Sequence, residues 1–177
     1  MYRVVITGPE SVGKSTMSKY LAKYFDGVDI PEYARTYVEE HGFDYSYEDV
    51  VAIASHQVDQ DMALVGEPLK FVFYDSWMII TKIWFEEVYN KVPEFVDQHI
   101  QQYAADLYLL LDYDLPWEED PTRENGGERR AYLYERYKRE LKSHGCDFIE
   151  ISGVGDVRFE NGKRAVEKFL KSRSENI

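Results

Sequence analysis

Short apolar runs punctuate the chain at Arg3–Thr7, Val28–Ile30, Phe71–Asp75, Leu107–Asp112 and Phe148–Ile151. Near-continuous apolar runs this short suit parallel strands buried on both faces. The stretches between them carry helical spacing. Lys14–Phe25 sets Met17, Leu21, Tyr24 and Phe25 three and four residues apart, and Trp77–Tyr89 puts Ile80, Ile83, Trp84 and Val88 on one face. Ser46 followed by Asp49 is a capping-box variant that predicts a helix to about Leu64. Further helices are predicted from near Glu128 to Ser143 and over Arg158–Lys171. Strands alternating with helices of this length imply right-handed crossovers and an α/β fold with a parallel sheet covered on both faces. Leu115–Arg130 breaks the rhythm: Pro116, Pro121, Gly126-Gly127 and many charges favour a solvated, mobile flap over a core element. Ser172–Ile177 reads as a frayed tail.

Composition narrows the class. A chain of 177 residues, 44% hydrophobic, suffices for one core, and one domain spanning residues 1–177 is expected. The net charge of -12 repels phosphate backbones and anionic lipid, and the most basic stretch, Arg129–Lys142, is interleaved with Glu135 and Glu140. Neither a nucleic-acid nor a membrane partner is expected; whether the chain self-associates is left open. The one cysteine, Cys146, can form no internal disulfide and reads as a small half-buried residue before a strand. The N-terminus runs straight into the glycine-rich loop described below, which leaves no room for a cleavable signal, and no apolar run approaches the roughly 20 residues of a membrane span. A cytoplasmic location is the expectation. His41, His56, His99 and His144 lack ligand spacing and receive no metal role.

Gly8-x-x-x-x-Gly13-Lys14-Ser15 follows a predicted strand and opens a predicted helix, the context in which this Walker A pattern becomes a phosphate cradle. Backbone N–H groups point at the phosphates, Lys14 reaches the β/γ oxygens and the Ser15 hydroxyl serves Mg²⁺. The expected nucleotide contacts are Gly8, Glu10, Ser11, Val12, Gly13, Lys14, Ser15 and Thr16, with ATP and Mg²⁺ as cofactors. The second metal-side group should be an acid ending a strand beside the first. In a 2-3-1-4-5 sheet the third strand lies there, so Asp75 leads and Asp112 is the competitor.

A guanine-reading switch would need an Asn/Thr-Lys-x-Asp segment, and Asn90-Lys91-Val92-Pro93 lacks the aspartate. ATP is therefore favoured over GTP. The chain is short for an AAA-type or transporter ATPase with an appended helical domain. What remains is a small-molecule kinase whose arginine-bearing lid, about residues 115–130 with Arg123, Arg129 and Arg130, closes over the phosphates and shuts out water. Asp29-Ile30-Pro31-Glu32-Tyr33-Ala34-Arg35 ends the second strand and should face the acceptor; a carboxylate there can orient or deprotonate a hydroxyl. The competing reading is a helix start with Glu32 near its dipole and Arg35 in a surface pair.

The chain resembles the ribosylnicotinamide kinase domain of the bifunctional NAD-biosynthesis regulators. The resemblance rests on Gly8–Thr16, on Pro31-Glu32-Tyr33-Ala34-Arg35, on Tyr74-Asp75-Ser76, and on Leu107–Asp112 leading into Pro116-Trp117-x-x-Asp120-x-x-Arg123. The Pro-Glu-x-x-Ala-Arg stretch is similar also to that of deoxynucleoside kinases, whose glutamate is the base. The resemblance implies a P-loop kinase in NAD biosynthesis that phosphorylates the 5′-hydroxyl of nicotinamide riboside. Lys14, Glu32, Asp75 and Arg123 would be its catalytic groups, Ser15 and Asp75 its metal side, and Arg129 a further nucleotide contact. Glu32, Tyr33, Arg35, Asp75 and Trp77 would contact a small nucleoside, whose cationic ring aromatic faces such as Tyr37 and Trp84 could hold. Asp75-Ser76-Trp77 departs from the family's Asp-Thr-acidic third strand, which bears on substrate identity. No His/Thr-x-Gly-His adenylyltransferase signature is present, so the product is expected to stop at the mononucleotide.

Overall fold

The computed structural model describes residues 1–42, 44–121 and 123–175. Five parallel strands form one sheet in the order β2-β3-β1-β4-β5, as the spacing of the apolar runs predicts. They are β1 (Tyr2–Thr7), β2 (Val28–Ile30), β3 (Phe71–Asp75), β4 (Leu107–Leu111) and β5 (Phe148–Ile151). The helices are α1 (Lys14–Phe25), α2 (Tyr33–His41), α3 (Tyr47–Ala63), α4 (Met78–Trp84), α5 (Glu94–Gln102), α6 (Glu128–Ser143) and α7 (Gly155–Ser174).

Successive side chains of a strand leave on opposite faces, and the central strands supply two cores this way. Val5, Val72, Tyr74, Tyr108 and Leu110 pack with α3 to α6, while Val4, Ile6, Phe73, Leu109 and Leu111 pack with α1 and α7. Both faces are covered, which is why these strands carry no polar alternation. At the far end of the sheet from the glycine-rich loop, buried Asp61 accepts from Arg3 Nε at 3.2 Å and from the Tyr74 hydroxyl, and His99 Nε2 lies 3.0 Å away.

Ser46 and Asp49 form the expected capping box, and Asp49 additionally accepts from the Tyr37 hydroxyl. Ile80, Ile83, Trp84 and Val88, expected on one face, grade from core to surface: Ile83 is buried, Ile80 and Trp84 pack half-buried against the core, and Val88 is exposed. A π-helical turn over Phe85–Tyr89 continues α4. α7 begins at Gly155 and ends at Ser174, so the helix takes in Ser172–Ser174, the first half of the segment read as a tail; residues 176 and 177 lie outside the described residues. α5 escaped the sequence reading, although Val96, His99 and Ile100 show the three-and-four spacing of its buried face.

Candidate active site

The loop between β1 and α1 needs glycine at two points. Gly8 has φ of 140°, and a Cβ there would stand 2.7 Å from the Leu111 carbonyl oxygen; Gly13, preceding α1, has φ of 78°. If the loop's N–H groups face a ligand, its carbonyls must find donors elsewhere. Two buried arginines supply them. Arg130 donates to the Glu10, Ser11 and Leu115 carbonyls at 3.2, 3.1 and 3.0 Å. Arg158 donates to the Val12 carbonyl at 3.0 Å and to that of Asp112 at 2.6 Å. Burial first, then the nearby Arg123 and Arg158 charges, lower the pKa of Arg130. Three guanidinium groups thus concentrate positive potential around the loop. Arg158 was missed in sequence because nothing marks a helix-start arginine 146 residues from its partner. Lys14 Nζ is held at 3.1 and 3.0 Å by the carbonyls of Gly8 and Pro9, within its own loop.

Asp75 is 4% exposed, and its Oδ1 has no hydrogen-bond partner. The parallel register sets Ile6 beside Asp75, whereas β4 runs on the other side of β1. Asp112 instead accepts from the Tyr113 N–H at 2.7 Å, a local turn contact. Burial raises the pKa of both carboxyls, Asp75 and Glu32; Lys14 opposes the rise in each, and the Ser15 side chain beside Asp75 and the Ser76 side chain beside Glu32 act in the same sense as Lys14. Glu32 is half-buried as a residue, but its carboxyl end lies in the interior. Ser76 sits at φ 63°, a left-handed conformation that costs a non-glycine residue and clusters at functional sites. The Thr7 and Ser76 hydroxyls are buried and, like Asp75 Oδ1, unpartnered. Hard oxygen donors in this state fit Mg²⁺, with Ser15 and Asp75 on the protein side.

Lys14, Ser15, Glu32 and Ser76 line a cavity of about 310 Å³, whereas Asp75 lies behind Ser76 and is not among the lining residues. Residues 10–16 form one wall. Glu32, Ala34, Arg35 and Val38 form the second, and Ile80, Ile83, Trp84, Glu87 and Val88 the third. The helical face read from Ile80, Ile83, Trp84 and Val88 therefore meets the cavity. Tyr45 crosses Trp84 edge-on at 4.8 Å, and both line the space with Gln57, Thr81 and Tyr137, none of which a motif flags. Arg123, Glu124 and Asn125 reach in from the segment between β4 and α6, in which Glu118, Asp120, Arg123 and Asn125 bond to the glycine-rich loop or to α2.

Several expected contacts fall elsewhere. Trp77 is 2% exposed and packs in the core against Tyr74 and His99, because β3 ends at Asp75 and Trp77 caps the start of α4 with its indole turned inward. Tyr33 stacks on His56 outside the cavity wall, and Gly8 acts through its backbone conformation and carbonyl. Arg129 Nη2 donates to Glu87 at 2.7 Å, because the π-helical turn brings that carboxylate within reach. Arg35 pairs with Glu39 at 2.9 Å and with Asp120 at 2.8 Å, so both motif readings hold part of the geometry: it lines the cavity and it is in a surface pair. Arg123 donates to the Glu118 carbonyl at 2.5 Å and approaches Ser11 Oγ at 3.4 Å, beside the loop. Thr122, within the lid motif, lies outside the described residues.

A family model described as an AAA domain matches residues 3–158. The chain belongs to this AAA-domain family. Length therefore argues only against an appended helical domain within these 177 residues, not against membership of the family. The chain is homologous to the trifunctional NAD biosynthesis/regulator protein NadR of Salmonella typhimurium LT2, being 30% identical over 175 residues, 94% of this chain and 42% of that protein. It spans less than half the length of this curated relative. Two solved NadR proteins, one in complex with NAD and AMP-PNP and one in complex with NR, share the fold at TM-scores of 0.72 and 0.71, with 22% and 21% identity. They are covered over 49% and 51% of their chains and cover 95% of this one. Thymidylate kinase from Ehrlichia chaffeensis follows at 0.65 and 14% identity, with 96% and 98% covered. The AAA-domain chain described here has a P-loop kinase fold. Among the described residues, no helix is long and apolar enough to cross a membrane.

Proposed function

We propose that the protein transfers the γ-phosphoryl group of Mg·ATP to the 5′-hydroxyl of nicotinamide riboside, forming nicotinamide mononucleotide. The observation that carries the reading is that Glu32, an acceptor-side carboxyl at the start of α2, lines the same cavity as Lys14 and Ser15 of the glycine-rich loop. The Glu32 carboxylate accepts the proton of the attacking hydroxyl, whose oxygen bonds to the γ-phosphorus as the β–γ bridging bond breaks and its electrons leave with ADP. Lys14 and Arg123 bear the charge on the transferring group, and Ser15 and Asp75 hold the metal. Mg²⁺ supplies charge neutralisation between the phosphates.

The acceptor side favours a nucleoside over a nucleotide. Glu32, Glu87 and Glu124 line it, and the guanidinium groups of Arg35 and Arg129 are engaged by carboxylates, so an acceptor phosphate would meet net negative potential. A cationic ring gains from the same carboxylates and from the crossed Tyr45 and Trp84 rings. NadR, the relative solved in complex with NR, supports this choice. The test is incubation of the protein and Mg·ATP with a panel of nucleosides and nucleoside monophosphates, read by mass for one added phosphate. Nicotinamide riboside should become the mononucleotide. Consumption of thymidine monophosphate with the riboside untouched overturns the assignment.

A further inference from the structure

We propose that Glu10 is a positioning residue that fastens the lid to the P-loop and thereby sets how the γ-phosphoryl divides between acceptor and water. The partition part rests on the kinase reading above; the fastening part does not. In the Walker A pattern position 10 is one of four free positions, so phosphate binding does not demand a glutamate there. Its carboxylate spends both oxygens on one lid residue: Oε2 accepts the Asn125 backbone N–H at 2.9 Å, and Oε1 accepts Asn125 Nδ2 at 2.8 Å. A carboxylate is ill-suited to touch a phosphate and well suited to take two N–H donors at once.

The position of Asn125 makes this clasp consequential. The described residues between 116 and 126 form no helix or strand, so the lid's placement depends on side-chain ties. Asn125 stands two residues from Arg123, the lid cation at the cavity, and next to Glu124, which accepts from the Tyr45 hydroxyl at 3.0 Å on the opposite wall. At the other end Ser11 Oγ accepts the Glu118 N–H at 2.9 Å. Ser11 holds φ of 58° to do so, a conformation that persists in a non-glycine residue only where its surroundings fix it. The loop that senses the phosphates and the lid that excludes water are therefore joined at Glu10–Asn125 and Ser11–Glu118. When the clasp opens, water can replace the nucleoside hydroxyl as nucleophile: its oxygen bonds to the γ-phosphorus, the β–γ bridge breaks, and phosphate and ADP leave with a proton released to solvent.

The experiment compares wild type with Glu10→Ala, Glu10→Gln, Asn125→Ala and the double variant Glu10→Ala/Asn125→Ala. With saturating Mg·ATP and nicotinamide riboside, the ratio of free phosphate to nucleoside phosphate is measured, and amide hydrogen exchange at Asn125 is followed with Mg·AMP-PNP present. The expected result is a rise of about tenfold in the hydrolysed fraction for Glu10→Ala, with KM for ATP changed less than about threefold. Asn125→Ala, which keeps the backbone half of the clasp, should show a smaller rise, and the double variant should be no worse than Glu10→Ala. Exchange at Asn125 should quicken in both Glu10 variants. An unchanged hydrolysed fraction in an active Glu10→Ala enzyme overturns the partition role. Unchanged exchange at Asn125 overturns the clasp itself. A raised KM for the riboside with the fraction unmoved overturns it too, by making Glu10 an acceptor contact. If wild type transfers to no acceptor, the kinase reading fails while the fastening stands or falls on the exchange alone.

Discussion

Asp61 and Asp75 are both buried, and they are finished differently. Asp61 accepts from Arg3 and Tyr74 and faces His99, whereas Asp75 Oδ1, at the loop end of β3, has no partner. Burial alone would raise both pKa values. At Asp61 the hydrogen bonds from His99 and Tyr74 and the Arg3 charge outweigh it and hold the carboxyl below its ordinary value; at Asp75 burial wins. The neighbouring residues Tyr74 and Asp75 leave β3 on opposite faces, one to complete the closed network and the other to enter the open one. A carboxylate whose valences are met belongs to the scaffold, and one left short next to a cavity-lining residue, as Asp75 is beside Ser76, is poised for a ligand.

The sharpest break of this comparison is at the cation each aspartate relies on. Lys14 is bound only by carbonyls of its own loop and can turn to a phosphate, whereas Arg3 is fixed between Asp61 and the Tyr103 ring. Lys14→Ala should cut turnover by about 10³-fold or more while the thermal melt stays near that of wild type. Near-normal turnover in the folded variant would end the phosphate-cradle reading. Next, Glu32→Gln should slow transfer to the nucleoside by about 10²–10⁴-fold while sparing ATP affinity, and Asp75→Asn should weaken the Mg²⁺ response and slow transfer and hydrolysis together. Calorimetric ATP binding beside turnover separates the two. Loss of ATP affinity in Glu32→Gln with an intact Mg²⁺ response in Asp75→Asn reverses the assignments.

Stability should split the aspartates the other way. Asp61→Asn leaves Arg3 and His99 facing a neutral amide in a closed site and should cost about 3 kcal/mol in a denaturant melt, with specific activity of the folded fraction retained. Asp75→Asn removes an incompletely compensated charge and should be neutral or stabilising. The pH dependence follows from the two directions. Asp61, with its folded pKa depressed, contributes stability present above its ordinary value of 3.8 and lost as pH falls through the folded value. Asp75, with its folded pKa raised, contributes stability present below 3.8 and lost as pH rises through the folded value. The cost of Asp61→Asn should therefore shrink as pH drops below about 4, and the gain from Asp75→Asn should grow from there towards neutrality. Parallel pH profiles for the two variants contradict the distinction.

The two networks were not equally legible in the sequence. β1, the loop and α1 are contiguous, so the nucleotide wall could be read from one segment together with the strand order. Asp75 was reachable as well, since a strand-end acid beside β1 follows from topology. The acceptor wall draws on Tyr45, Gln57, Trp84, Glu87 and Tyr137, from segments no local pattern connects. There the helical period grouped Ile80, Ile83, Trp84 and Val88 correctly, but a period alone does not say whether a face meets core or cavity. Arg130 was read as a lid cation and Arg158 only as the start of a helix, because their partners are backbone carbonyls, which leave no trace in residue type.

The smallest expected effect concerns the ion pair joining the two motifs that carry the family resemblance, Arg35 of Pro31–Arg35 and Asp120 of Pro116–Arg123. Arg35 donates to Asp120 at 2.8 Å across the mouth of the cavity and to Glu39 at 2.9 Å along α2, with its side chain 45% exposed. Donating hydrogen bonds to Asp120 and Glu39 raises its pKa, so the guanidinium stays charged throughout, but an exposed pair is screened and pays side-chain entropy. Its coupling energy in an Arg35→Gln/Asp120→Asn double-mutant cycle should be about 0.5 kcal/mol and should fade in high salt. Its kinetic signature should be a rise of about two- to fivefold in KM for the nucleoside in either single variant, from a lid that closes less often, with kcat little changed. The alternative, in which Arg35 steadies the transferring phosphoryl, makes a different demand: Arg35→Gln would lower kcat by orders of magnitude while Asp120→Asn stayed silent. Measuring kcat and KM for the two single variants decides between them, because a lid latch needs both partners and a phosphoryl contact needs only the arginine.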